Sequence, residues 1–248
     1  MTAHNTPERS YLWQPDLLGM ITATLAFTTI WSGLNVFVKL CGGGPLPGAS
    51  TFTRYNSRLY SLLSYGLLVV IVRSWPSSSQ SYRTTTAEWL YHMSKFYEYI
   101  DIFNVIASGG TVSLHFGWHH LTTSWLTWAR VLPSTDTSIG GSNNEGWRWF
   151  AAANAVHHVL MYAYFGGLGA VRPLLPYTGQ IQLILGILVD VWIIYKRVMK
   201  GVDGHVVVWP YVFSMGLLST YLVLNSRELA AAERVSRKKR VKDTSKEV

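Results

Sequence analysis

Charge is scarce in this chain of 248 residues, with Asp, Glu, Lys and Arg making up 14% of it. Soluble domains carry roughly 25%, so the shortage excludes an ordinary water-facing surface over most of the length. Cysteine is reduced to Cys41. One thiol excludes an internal disulfide and a cysteine-based metal site, and the local sequence gives it no nucleophile signature, so it reads as a small apolar residue. Acidic residues are few, 13 against 21 Lys and Arg, leaving a net charge of +8. Much of that excess lies near the end of the chain, in Arg234, Arg237, Lys238, Lys239, Arg240, Lys242 and Lys246. A basic stretch after a final apolar segment reads as a cytoplasmic flank near anionic lipid, so nucleic acid is not an expected partner.

What is abundant is apolar and aromatic: 49% hydrophobic residues, with 11 Trp and 14 Tyr. Aromatics in that number suit belts at two membrane interfaces, and a spanning helix needs about 20 mostly apolar residues. Seven segments meet that requirement, at 17–40, 59–75, 88–107, 111–132, 147–171, 177–198 and 206–225. The expected fold is therefore all-α, a polytopic membrane protein. A polar segment covers 1–16, the helical domain 17–225 and a basic tail 226–248. The first apolar segment reads as a retained span, not a cleaved leader. Breaks fall at Gly42 to Gly48, at a Ser/Thr-rich linker over 76–86, at Ser108-Gly109-Gly110, at a polar loop over 133–145 and at Arg172-Pro173 with Pro176. With the tail cytoplasmic, that side carries twelve Lys and Arg against eight on the other, in line with the positive-inside rule.

Five of the eight histidines fall in two of these apolar segments, as His115, His119 and His120, then His157 and His158. Ionisable groups at membrane depth are costly and face a bundle interior or a cavity. On a helix His115 and His119 share a face while His120 points about 100° away, and Asn154 and His158 likewise share a face. Two facing helices would bring His119 and His158 to one buried point, as nucleophile, base or metal ligand. His92 and His205 stand alone and read as satisfied core residues. Lys95, Glu98 and Asp101 interrupt the third segment at three-residue spacing, so they follow one helix face turned inward.

The Lys95-x-x-Glu98-x-x-Asp101 helix, the Leu114-His115 to His119-His120 box with Trp125 and Trp128 after it, and the stretch Asn154-x-x-x-His158-x-x-Met161-Tyr162-x-Tyr164-Phe165 occur in that order. With Gln180 and Gln182 following, they resemble the ELO family of very-long-chain fatty acid elongases over about residues 88–185. The resemblance implies seven transmembrane helices forming a helical barrel around an acyl tunnel in the endoplasmic reticulum membrane, C-terminus cytoplasmic. It implies a 3-ketoacyl-CoA synthase condensing acyl-CoA with malonyl-CoA through a histidine-bound acyl intermediate. His119 would be the nucleophile, His158 would position or deprotonate the second substrate, His120 and His115 would orient, and Asn154 would donate to an oxyanion. Lys95, Glu98, Asp101, Tyr162, Tyr164, Gln182 and Arg172 would bind substrate or support the site. No cofactor and no metal are implied; membrane lipid, a second copy of the chain and other elongation-cycle enzymes are the implied partners.

The chain also departs from that pattern. Three residues separate His115 from the histidine pair where the family has two, an insertion that a π-bulge would absorb. Val105 to Gly110 stands where a basic run is expected, which weakens the usual grip on CoA phosphates. An elongase-like lipid-binding protein without turnover is therefore a competing reading, as is a histidine-box di-iron desaturase or hydroxylase. A retinal receptor would need a lysine in the last span, and 206–225 has none.

Overall fold

The computed structural model describes residues 16–74, 81–131, 146–199 and 208–244, all of them helix or connecting turn. His4, His205 and the loop over 133–145 lie outside that set. Helix α1 (Leu17–Leu40) starts at Asp16, whose side chain accepts from the Gly19 amide at 2.7 Å. It stops where Gly42 and Gly43 take φ of 95° and 72°, with the Gly43 amide donating to the Val38 carbonyl at 2.9 Å. Helices α2 (Ala49–Arg73), α3 (Ser81–Tyr97), α4 (Tyr99–Ala107), α5 (Leu114–Val131) and α6 (Trp147–Phe165) follow. A 3-10 turn (Gly169–Leu174), α7 (Leu175–Met199) and α8 (Trp209–Thr244) complete the order.

Several bounds differ from the hydropathy reading, for a common reason. Helix α2 begins ten residues before position 59, because its polar first turns bury Asn56 and Ser57. Part of the Ser/Thr-rich linker is helical, with α3 beginning at Ser81. The third segment breaks at Glu98 into α3 and α4. Helix α8 runs on through the basic stretch to Thr244. In each case hydropathy marks where lipid-facing residues lie, whereas the backbone continues wherever its hydrogen bonds can.

Contacts between helices close a ring. Helix α2 packs on α6, α6 on α7, α7 on α8, α8 on α5, and α5 on α3 and α4, which return to α2; α1 lies outside against α4. Polarity is inverted across the ring. Buried positions include Lys95, Glu98, Asn104, His120, Arg130, Asn154, His158, Gln182 and Asp190. Large apolar side chains face outward instead, among them Leu18, Leu25, Leu62, Ile181, Leu188 and Trp192. Among the described residues α1, with mean hydropathy 1.5, is the one helix long and apolar enough to cross a membrane by composition. The ring helices score lower because their inner faces carry these polar groups.

Gly146 caps α6 at φ 73°, and a Cβ there would lie 2.5 Å from Val189 and 2.6 Å from Ile193 of α7. Both the left-handed backbone and the close approach exclude a side chain. Gly146→Ala should therefore destabilise the fold by about 2 kcal/mol or more, read as a lowered thermal midpoint of the detergent-solubilised protein.

Candidate active site

The site begins at the break between α3 and α4. Lys95 and Glu98 lie three residues apart, 2% and 0% exposed, with Lys95 Nζ donating to Glu98 Oε1 at 2.7 Å. Lys95 Nζ also donates to Asn154 Oδ1 at 2.7 Å, reaching across to α6. The Asn154 amide nitrogen in turn donates to Gln182 Oε1 of α7 at 2.8 Å and lies 3.2 Å from His158 Nε2. Tyr60 of α2 donates to Glu98 Oε1 at 3.2 Å, and Tyr91 to Asn154 Oδ1 at 3.2 Å. One polar lattice thus joins α2, α3, α6 and α7.

Two of the histidines hang from this lattice in defined tautomers. His120 Nδ1 lies 2.7 Å from the Glu98 carbonyl, which only accepts, so that nitrogen carries the proton. For His158, the Asn154 amide only donates, so a neutral ring accepts at Nε2. Its proton then sits on Nδ1, 3.3 Å from Glu98 Oε1. His119 differs. Its Nδ1 is buried with no partner, and its ring packs edge-on against Tyr221 of α8 at 4.8 Å and against His120 at 5.4 Å. Glu98 Oε2 is likewise buried without a partner.

A cavity of about 430 Å³ opens beside this arrangement, and His115, His119, His120, His157, His158, Glu98 and Gln182 all line it. Apolar walls come from Phe116, Met161, Leu175 and Leu183; Tyr164, Arg172, Asn225 and Glu228 lie toward the same space. His157 Nδ1 pairs with Thr178 Oγ1 at 2.9 Å, and His115 Nδ1 lies 3.5 Å from Glu228 Oε2. Among the described residues no three His, Cys, Asp or Glu side chains converge as a metal-ligand set.

Most of the site residues named from the sequence come together here, whereas Asp101 and Tyr162 lie apart from the cavity wall. Tyr162 donates to Asp101 and packs edge-on against Tyr60, supporting the lattice from behind. Lys95 and Asn154 reach a smaller void next to His119 instead of the main cavity. His92, 1% exposed, pairs with Thr127 Oγ1 at 2.8 Å. Helix α5 is α-helical throughout, so no π-bulge absorbs the extra residue of the box. Instead His115 sits in the first turn, after the non-helical stretch 110–113. Sequence reasoning missed the ion pair between Arg130 of α5 and Asp190 of α7. Both residues are lone charges in apolar runs, the signal that singles out buried partners.

A family model described as ELO: GNS1/SUR4 family matches residues 23–239. The chain belongs to the ELO family. Fatty acid elongase A of Dictyostelium discoideum is 27% identical over 162 residues, 60% of this chain and 56% of that protein. Fatty acid elongase 2 of Trypanosoma cruzi (strain CL Brener) is 24% identical over 218 residues, 76% of this chain and 75% of that protein. The chain thus spans little more than half the length of the Dictyostelium relative it matches. No solved structure matches. The ELO match takes in every element from within α1 to within α8, so the site lies wholly inside the matched region.

Breaking one side of the Lys95–Glu98 pair leaves a buried charge uncompensated. Lys95→Met should cost about 3–5 kcal/mol, and adding Glu98→Gln should recover most of that, both read from thermal unfolding of the solubilised protein.

Proposed function

We propose that this protein is a fatty acid elongase, a 3-ketoacyl-CoA synthase that joins an acyl-CoA to malonyl-CoA. The observation that carries the reading is a single cavity walled by His119, His120 and His158, with the buried Lys95–Glu98–Asn154 lattice fixing two of the three. Membership of the ELO family and the printed names of its two relatives support it. The inverted polarity of the ring supports a membrane setting, with seven spans counting α3 and α4 as one bent helix and the ring enclosing the acyl tunnel. Endoplasmic reticulum and a cytoplasmic C-terminus belong to the same reading.

In the proposed reaction an unpartnered imidazole nitrogen of His119 attacks the thioester carbonyl. The carbon–sulfur bond breaks, the CoA thiolate leaves and takes up the imidazole proton, and the acyl group stays on the ring. Malonyl-CoA then loses CO₂, and the electrons of the broken carbon–carbon bond form the new bond to the acyl carbon. His119 departs as the product 3-ketoacyl-CoA forms, and its ring regains a proton from solvent, the one proton the overall reaction consumes. His158, held between Asn154 and Glu98, positions the malonyl group; His120 and His115 orient the neighbouring ring; Gln182 offers an amide donor to oxyanionic oxygens, and Asn154, whose amide protons go to Gln182 and His158, holds both in place. Arg172 and Tyr164 at the cavity receive the CoA portion. The two thioesters supply all the chemistry, and no cofactor or metal enters the scheme.

Splitting the reaction into halves tests it. With labelled acyl-CoA alone the protein should release CoA and retain acyl label, and His119→Ala should lose both. His158→Ala should still acylate but lose malonyl-dependent extension by roughly 10²–10⁴-fold. Acyl-CoA bound with no CoA release in wild type would favour the lipid-binding alternative; normal extension by both variants would sink the mechanism.

A further inference from the structure

One histidine of the cavity has no part in the condensing scheme. His157 lies about 100° around α6 from His158, and it turns to α7 where His158 turns to the lattice. Its Nδ1 is 2.9 Å from Thr178 Oγ1, whose own proton goes to the Leu174 carbonyl at 3.1 Å. Thr178 therefore accepts, Nδ1 carries the proton, and the neutral ring keeps a bare lone pair on Nε2. Among the described residues no donor reaches that nitrogen. Asn225 of α8 lines the same cavity, and its amide nitrogen likewise meets no acceptor among the described residues. The two side chains meet over Gly179 of α7. A Cβ built there would lie 3.3 Å from His157 Cε1, 3.7 Å from His157 Nε2 and 3.9 Å from Asn225 Nδ2. Glycine at this point leaves room for a small planar group between an acceptor and a donor.

We propose that His157 Nε2 and Asn225 Nδ2 form a subsite for a secondary amide, the one nearest the sulfur in the pantetheine arm of CoA. This rests on the condensing reading above, in which both substrates arrive as CoA thioesters. A bare acceptor beside a donor suits a group that offers one of each. A carboxylate or phosphate would set its lone pairs against that of Nε2, and hydrocarbon would leave both nitrogens unpaired at a cost. A secondary amide presents its N–H to His157 and its carbonyl to Asn225. In CoA that amide is separated from the sulfur by a short two-carbon spacer. His157 adjoins His158 in the chain, with ring centroids 6.1 Å apart, so an amide held there places the sulfur beside the histidines that act on it. The grip is the same for acyl-CoA and malonyl-CoA, since it reads the carrier and not the acyl group.

The test is single-turnover acyl transfer to the full chain in nanodiscs, from labelled acyl thioesters of N-acetylcysteamine and of mercaptoethyl acetate. The second compound replaces the amide N–H by an ester oxygen and keeps everything else, so it turns a hydrogen bond to His157 into a contact between lone pairs. Wild type should transfer from the amide at least about tenfold faster than from the ester. His157→Val should bring the two rates within about twofold, because no acceptor then tells them apart. His157→Gln, which keeps an acceptor, should restore a preference of several-fold. Asn225→Leu should slow both compounds by about tenfold and leave their ratio unchanged, since both retain the carbonyl. Equal rates from amide and ester in wild type, or an undiminished preference in His157→Val, would overturn the subsite while leaving the condensing reading intact. No acyl transfer from acyl-CoA itself to wild type would overturn both.

Discussion

A lysine and a glutamate sealed from water at a helix break set the terms for everything around them. The Lys95–Glu98 pair sits where α3 ends and α4 begins, and taking two ions out of water costs several kcal/mol each unless every remaining proton and lone pair finds a partner. Those partners must come from other helices, because one turn of backbone cannot supply them. Asn154, Tyr60, Tyr91, His158 and Gln182 answer that demand directly or one step removed. The pair thereby fixes which faces of α2, α6 and α7 turn inward. The apolar exterior follows, since the same helices have only their outer faces left for leucine and tryptophan.

The lattice also sorts the histidines into two kinds. His120 and His158 each have a ring nitrogen committed to Glu98, one to its carbonyl and one to its carboxylate, so their orientation and tautomer are settled before any substrate arrives. His119 lies on the same helix as His120, yet its Nδ1 meets no partner. A buried nitrogen without a hydrogen bond is a cost to folding, and such costs concentrate where chemistry needs a lone pair that no neighbour has claimed. Rigid neighbours around one uncommitted ring are what a nucleophile needs, since reorganisation is then confined to the substrate.

Hydropathy made the all-helical character of the chain legible, and the spacing of Lys95, Glu98 and Asp101 made their inward face legible. It missed the break at Glu98, where the carbonyl accepts from the Asp101 amide at 3.1 Å and from His120 at 2.7 Å, because such a break leaves no mark on composition. The partnership of Arg130 and Asp190 was hidden because its members are sixty positions apart, on helices whose packing no local spacing records. The different hydrogen-bonding of His119 and His158 was legible only as a face relation. Asn154 holding His158 from four residues earlier on the same helix, while His119 Nδ1 meets no hydrogen-bond partner, is a matter of rotamer and partner that no sequence spacing records.

The missing basic run after α4 has a physical counterpart at the other end of the chain. The turn that replaces it is closed backbone to backbone, with Gly110 donating to Val105 and Leu46 to Ala107, and a Cβ at Gly109 would lie 3.0 Å from Pro45. Helix α8 has 36 residues, about 54 Å at a rise of 1.5 Å, well beyond a hydrocarbon core of about 30 Å. Its Asn225, Glu228 and Leu229 wall the histidine cavity, and the basic stretch begins just beyond them, from Arg234 onward. Among the described residues the same helix carries Arg234 and Arg237 beyond that wall, with Arg237 paired to Glu233 at 2.6 Å, while Arg172 and Glu228 line the cavity itself.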